Sequence, residues 1–122
     1  MTEVRIPIND DALGLPVAEK HHADETTVLV EQFCRDHLGI LERGGENTIV
    51  FDMSGVPSSI SSSVVVLMIS LMKKANAAAG NVRAKITDAT PQIMEKLGTM
   101  QLHKMFSIEP RKSMTGEVGV ES

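Results

Sequence analysis

Residues 48–63 read TIVFDMSGVPSSISSS, which is a short strand-like run followed by a turn and a group of serines. Residues 48–51 are β-branched or aromatic and too few for a helix, so they predict a central buried strand. Residues 52–55 contribute Asp, Ser and Gly, which are typical of a turn. Residues 64–79 are apolar and long enough for a helix. A strand joined to a helix in this way predicts one crossover unit of a mainly parallel sheet.

The serine run, residues 58–63, places several hydroxyls where the helix is expected to begin. A free helix N-terminus favours negative charge, so a phosphate attached or docked there would be stabilised. The same hydroxyls could instead only cap the helix by accepting hydrogen bonds from its first amides. A phosphorylated switch and a structural cap are therefore both compatible with these residues.

The segments before residue 48 predict a strand and a helix. Residues 4–8 alternate like a short strand, and Pro7 favours an edge position because proline cannot donate to a sheet ladder. Residues 13–19 could return as a second strand of a hairpin. Residues 24–42 fit a helix that is capped by Asp24 and ended by the glycines at 44 and 45.

The segments after residue 63 continue the alternation. The helix at 64–79 is apolar on two faces, and we expect another part of this chain, rather than a partner, to cover the second face. Residues 82–86 predict a strand, and a further helix begins with Thr90 as its cap and ends at Gly98. Residues 102–108 form a last apolar cluster, and residues 109–122 are expected to be a flexible polar tail.

This order of elements predicts an α/β fold, with a small mixed, mainly parallel sheet of about four strands and helices packed against it. The chain of 122 residues is long enough for one core and too short for two. We therefore expect one domain, residues 1–108, followed by the tail.

Composition limits the classes of partner. A formal net charge of −4 argues against nucleic acid or an anionic membrane surface as the main partner and favours a protein. A single cysteine, Cys34, excludes an intramolecular disulfide framework, and the N-terminus does not resemble a signal peptide. Residues 64–72 reach only half of the roughly 20 residues that a membrane span needs. A cytoplasmic protein without membrane insertion is expected.

Other chemistries find little support. His21 and His22 precede Asp24, but adjacent histidines point in different directions, and we expect them to be solvated loop residues rather than metal ligands. Cys34 falls on the apolar stripe of its helix, where a structural thiol is usual. No glycine pattern has the spacing of a phosphate loop. We therefore predict no metal, no cofactor and no enzymatic activity.

Several of these segments together resemble the STAS domain, the family of bacterial anti-sigma factor antagonists and their relatives. The resemblance covers residues 47–108, whereas the first half matches only in the order of its elements. It depends on three features: the strand that ends in Asp-Met-Ser-Gly-Val at 52–56, the serines before the apolar helix, and the Leu-Gly-x-x-x-Leu-x-x-x-Phe ending at 97–106.

The resemblance implies a phosphorylation site. The family's Asp-Ser-Ser-Gly motif falls on residues 60–63, so its phosphorylated serine corresponds to Ser62, with Ser61 and Ser63 beside it. Two positions depart, because Ile60 replaces the acid and Ser63 replaces the glycine. Ile60 cannot accept a hydrogen bond and favours burial.

The resemblance also implies a function as a protein-binding switch without chemistry of its own. Such a protein binds an anti-sigma factor, usually one with serine kinase activity, and phosphorylation of the serine reverses the binding. An alternative is a non-phosphorylated STAS adaptor or structural subunit of a stress-signalling or lipid-transport complex, and a homodimer is a further option. The expected partner-binding residues are Ser58, Ser59, Ile60, Ser61, Ser62, Ser63, Val65 and Val66.

Overall fold

The computed structural model describes residues 2–111, and four strands within them form one parallel sheet in the order β1-β2-β3-β4. The strands are β1 (Thr2–Pro7), β2 (Asn47–Asp52), β3 (Val82–Ala89) and β4 (Phe106–Pro110). Each of the three neighbouring pairs is parallel. The predicted α/β class and mainly parallel sheet are confirmed, with β1 at one edge and β2 in the interior.

The connecting segments contain four α-helices among the described residues, which are α1 (Asp10–Leu13), α2 (Ala23–His37), α3 (Ser62–Ala79) and α4 (Pro91–Thr99). Crossovers between parallel strands are right-handed in nearly all proteins, and here each one steps to the next strand in the same direction. The helices therefore lie on the same face of the sheet. The opposite face, which we call the open face, carries Glu3, Arg5, Thr48, Arg83, Lys85 and Ser107.

Ion pairs link the strands across the open face. The guanidinium of Arg5 in β1 lies 3.3 Å from the Asp52 carboxylate, and the Lys85 ammonium lies 2.8 Å from that of Glu109. Partial burial would by itself raise the pKa of Asp52, but hydrogen bonds from Ser54 and the charge of Arg5 outweigh it. The pKa of Asp52 is therefore below its ordinary value, and these contacts stabilise the fold less as the pH falls through that pKa.

Helix α3 is the centre of the core. Its buried residues are Val64, Val65, Leu67, Met68, Leu71, Met72, Ala75 and Ala79. Helix α2 packs along it, and Val65 and Met72 of its second apolar face are buried, which confirms that other parts of the chain cover this face. By length and composition α3 could also cross a membrane, but core helices of compact domains have the same properties, and it is such a helix here.

The N-terminal segment differs from the sequence prediction in two places. Residues 13–19 do not form a hairpin strand, because Asn9 caps the short helix α1 and Gly14 ends it in the left-handed conformation with a φ of 72°. Helix α2 begins after His22 rather than Asp24, and it ends at His37 rather than 42. A 3-10 turn, Leu38–Ile40, replaces the predicted last turn.

The C-terminal boundary also needs correction. Strand β4 extends through Pro110, so residues 109 and 110 belong to the sheet and not to a tail that begins at 109. The sequence suggested an apolar cluster here but no strand, since only the pairing of β4 with β3 defines it. Residues 112–122 of the predicted tail lie outside the described residues.

Candidate functional site

The serine run lies where β2 has ended and α3 begins, beside the carboxyl edge of the parallel sheet. The segments that follow the carboxyl ends of the parallel strands meet at this edge. Helices α3 and α4 both have their N-termini here, because each is the next element in the chain after a parallel strand. The serines are therefore placed near the positive ends of two helix dipoles.

Ser61 is the structural cap of α3. The residue is only 8% exposed, and its Oγ accepts a hydrogen bond from the Val64 backbone N–H at 3.4 Å. Its own backbone N–H donates to the Val17 carbonyl at 2.8 Å, which fixes the chain before the helix. The capping interpretation of the serine run is therefore correct for Ser61.

Ser63 is also occupied, but by a partner far away in the sequence. Its Oγ accepts from the backbone N–H of His21 at 2.9 Å and donates to the His21 carbonyl at 3.2 Å. The side chain of His21 is only 9% exposed, with its Nε2 at 2.6 Å from the Pro16 carbonyl. The prediction that His21 is a solvated loop residue is therefore wrong.

Ser62 is in a different environment from both neighbours. It is the first residue of α3, it is exposed, and within residues 2–111 its hydroxyl makes no hydrogen bond. A hydroxyl in this position can reach another protein without breaking a contact in the fold. Of the three serines at 61–63, Ser62 is thus the one that is free to react.

The remaining predicted partner-binding residues divide by burial. Ile60 is 1% exposed, as its apolar side chain led us to expect, and Val65 is fully buried. Both belong to the core, so they cannot contact a partner while the domain keeps this structure. Ser58 is exposed, Ser59 is half-buried, and Val66 is 50% exposed one turn after Ser62.

Sequence reasoning missed a contribution from α4. Ser62 opens into a shallow groove of about 460 Å³ that α4 lines from the other side. The lining residues of the groove are Ser59, Ser62, Gln92, Glu95, Lys96, Thr99 and Met100. The α4 positions recur at helical spacing on a polar face, which is the signal that could have identified them.

The metal site and the cysteine nucleophile considered from the sequence involve side chains within residues 2–111. No group of three or more His, Cys, Asp or Glu side chains there could hold a metal ion. Cys34 is partly buried, and burial raises the pKa of its thiol despite the nearby Lys74. A higher pKa leaves less thiolate at neutral pH, so Cys34 is a poor nucleophile.

Comparison with known proteins finds one family. The STAS domain family model matches residues 26–113 of the 122, a range that extends beyond the resemblance seen in the sequence and includes most of α2. No curated protein and no solved structure matches the chain significantly.

Proposed function

Because the chain belongs to the STAS domain family, we propose that it is a protein-binding switch in which Ser62 is the regulated residue. STAS domains generally act through protein–protein contacts, and the proposed partner is an anti-sigma factor with serine kinase activity. The chain performs no catalytic step of its own in this scheme. It binds the partner in the cytoplasm when Ser62 is unmodified and releases it when Ser62 carries a phosphate.

The contrast among three adjacent serines is the observation that carries the proposal. Ser61 is buried as a cap, and Ser63 holds the backbone of His21, whereas Ser62 is exposed and makes no contact that phosphorylation would break within the described chain. A kinase needs an accessible hydroxyl on a segment that it can approach. Ser62 meets that requirement at the same position that the family motif indicates.

A phosphate at Ser62 would change binding by charge and hydration. It would add about −1.5 to −2 charges to the surface between α3 and α4, in a chain whose net charge is already −4. The N-terminal amides of α3 would stabilise the phosphate within the free domain. In a packed interface that offers it no cation, the same group would lose its water without compensation, so the modified protein would bind less tightly.

Val66 supplies the first test of this surface, because it lies one turn from Ser62 on the same face of α3. We expect Val66→Asp to weaken partner binding by about tenfold or more, since a carboxylate would replace an apolar contact. Val28→Asp is a matched control, because Val28 is 60% exposed on α2, a helix that carries none of the predicted partner-binding residues. Isothermal titration calorimetry with the anti-sigma factor measures both affinities.

Equal affinities for the two variants would contradict this placement of the interface. Loss of binding by Val28→Asp alone would indicate that the interface lies on the outer face of α2. Thermal unfolding of both variants is measured in parallel, and neither exposed substitution should change stability by more than about 0.5 kcal/mol.

The second candidate function is a STAS adaptor that binds constitutively within a larger complex. It is favoured by Ile60, because a buried isoleucine cannot offer a kinase the carboxylate that the family motif provides. An adaptor would bind its partner with the same affinity whether or not Ser62 is modified. The same titration, repeated with phosphorylated protein, separates the two candidates.

A further inference from the structure

Arg111 makes an unusual set of contacts where the chain leaves the sheet. Its Nη2 donates to the carbonyls of Met53 at 2.6 Å and Val56 at 2.9 Å, and its Nε donates to the Asp88 carbonyl at 3.1 Å. Its backbone N–H donates to the Ala89 carbonyl at 3.0 Å. Arg111, the first residue after β4, thus joins the ends of β2 and β3.

Two of these carbonyls belong to the turn that leads into the serine run. The turn is closed by the Val56 backbone N–H, which donates to the Met53 carbonyl at 3.0 Å, and Arg111 bonds both carbonyls at its ends. Further along, the Thr90 hydroxyl donates to the Ser58 carbonyl. No backbone N–H of residues 58–60 donates to a backbone carbonyl in the described chain. Between the turn and the Ser61–Val17 hydrogen bond, the segment is therefore held by the side chains of Arg111 and Thr90 and by the buried Ile60.

An irregularity near the end of β3 makes one of its carbonyls available to Arg111. The register between β3 and β4 shifts between Ile86 and Ala89, and Asp88 within this bulge has a φ of 59°. A non-glycine residue in the left-handed region is uncommon, although aspartate tolerates it better than most. The bulge leaves the Asp88 carbonyl outside the regular ladder, where it accepts the Arg111 Nε–H.

The Arg111 contacts depend on β4 remaining in place. Strand β4 has five residues and lies at the edge of the sheet, with a single neighbouring strand. Short edge strands are among the least protected parts of a sheet, and they can open while the rest of the domain stays folded. Detachment of β4 would withdraw the guanidinium from the turn between β2 and the serine run.

We propose that Arg111 is a positioning residue of the switch. While β4 is paired with β3, Arg111 holds residues 53–61 in the conformation in which Ser62 is accessible to a partner. This inference rests on the proposed function of Ser62, and it makes the C-terminal strand a control point for that site. Anything that detaches β4 will loosen the serine run and weaken recognition of Ser62. The contacts are made by the planar guanidinium group, whose several N–H donors have a fixed geometry that a lysine ammonium cannot reproduce.

Hydrogen–deuterium exchange of the free protein tests the coupling without any partner. In Arg111→Ala we expect the amides of Ser54, Val56 and Ser61, which are hydrogen-bonded in the structure, to exchange about tenfold faster or more. Arg111→Lys should behave like Arg111→Ala. The control Arg83→Ala removes an exposed arginine from the open face and should leave these amides unchanged. The amides of residues 49–51 in the interior strand should keep their protection in all three variants.

Unchanged exchange at residues 54–61 in Arg111→Ala would overturn the inference. An equal increase throughout the sheet would also overturn it, because Arg111 would then serve global stability alone. Full rescue by Arg111→Lys would also overturn the inference as stated, because a single positive charge would then suffice without the guanidinium geometry.

The functional half of the coupling is tested with the partner kinase. Arg111→Ala should slow phosphorylation of Ser62 about fivefold or more, mainly through a higher KM, because a looser segment binds less well. If the kinase phosphorylates Arg111→Ala as fast as it phosphorylates the parent protein, the coupling is overturned, while Ser62 can still be the switch. If no kinase modifies Ser62, the proposed function fails instead, and the exchange measurement still decides whether Arg111 holds the turn.

Discussion

Ile60→Asp is expected to destabilise the domain by about 4 kcal/mol, the largest loss of stability that we predict for any single substitution in the serine run. Ile60 is 1% exposed and belongs to the core, so the change removes apolar burial and places a carboxylate where it has no partner. The STAS motif has an acid at this position, and the substitution therefore tests whether this chain could accommodate it. Urea denaturation followed by circular dichroism gives the free energies of unfolding.

Two control variants define the result for Ile60. Ile60→Val should cost only about 1 kcal/mol, because it removes one methylene from the same site. Ile40→Asp introduces the same acid at an isoleucine that is 62% exposed, and it should change stability by less than about 0.5 kcal/mol. If Ile60→Asp were as stable as Ile40→Asp, the side chain at position 60 would face solvent, and its assignment to the core would be wrong.

Ser62→Glu is expected to lower the affinity for the partner by about tenfold or more, as Val66→Asp does, which corresponds to about 1.4 kcal/mol. The glutamate adds a negative charge at the start of α3 without removing any hydrogen bond within the described chain. Stability should therefore stay within about 0.5 kcal/mol of the parent protein. Ser62→Ala should bind nearly as well as the parent, because it removes only an exposed hydroxyl.

Two further serine variants are controls, one for the position of the added charge and one for the structural role of a neighbouring serine. Ser107→Glu introduces the same charge at an exposed serine of the open face and should leave the affinity unchanged. Ser63→Ala should lower stability by about 1–2 kcal/mol, because it leaves the His21 backbone groups without their partner. A Ser62→Glu protein that binds as tightly as the parent would exclude a charge switch at this residue and would favour the adaptor.

The order of the elements could be predicted from the sequence because the signals are local. The β-branched run before the turn and the apolar helix after it are each recognisable within about 18 residues, and both occupy the positions expected. Strand β4 and the false hairpin at 13–19 show where this approach fails. A short strand exists only through its pairing, and the φ of Gly14 turns the chain away from any hairpin.

The candidate site could be predicted to within a few residues, but not the roles of those residues. Adjacent serines receive different roles from distant parts of the chain: Val17 fixes the backbone of Ser61, and His21 occupies the hydroxyl of Ser63. Neither contact leaves a signal in the serine run itself. The same reason explains why α4 and Arg111 were not assigned to the site, since their positions depend on how the strands are arranged in the sheet.

Phosphosite mapping is the most direct test of Ser62 as the regulated residue. The protein is incubated with ATP and an anti-sigma factor kinase that binds it, and tandem mass spectrometry then locates any phosphate within residues 58–63. The proposed switch predicts a single phosphate on Ser62, its absence in Ser62→Ala, and weaker binding of the phosphorylated protein to the kinase. A phosphate on Ser61 or Ser63 but not on Ser62, or none at all with a kinase that binds the chain, would contradict it.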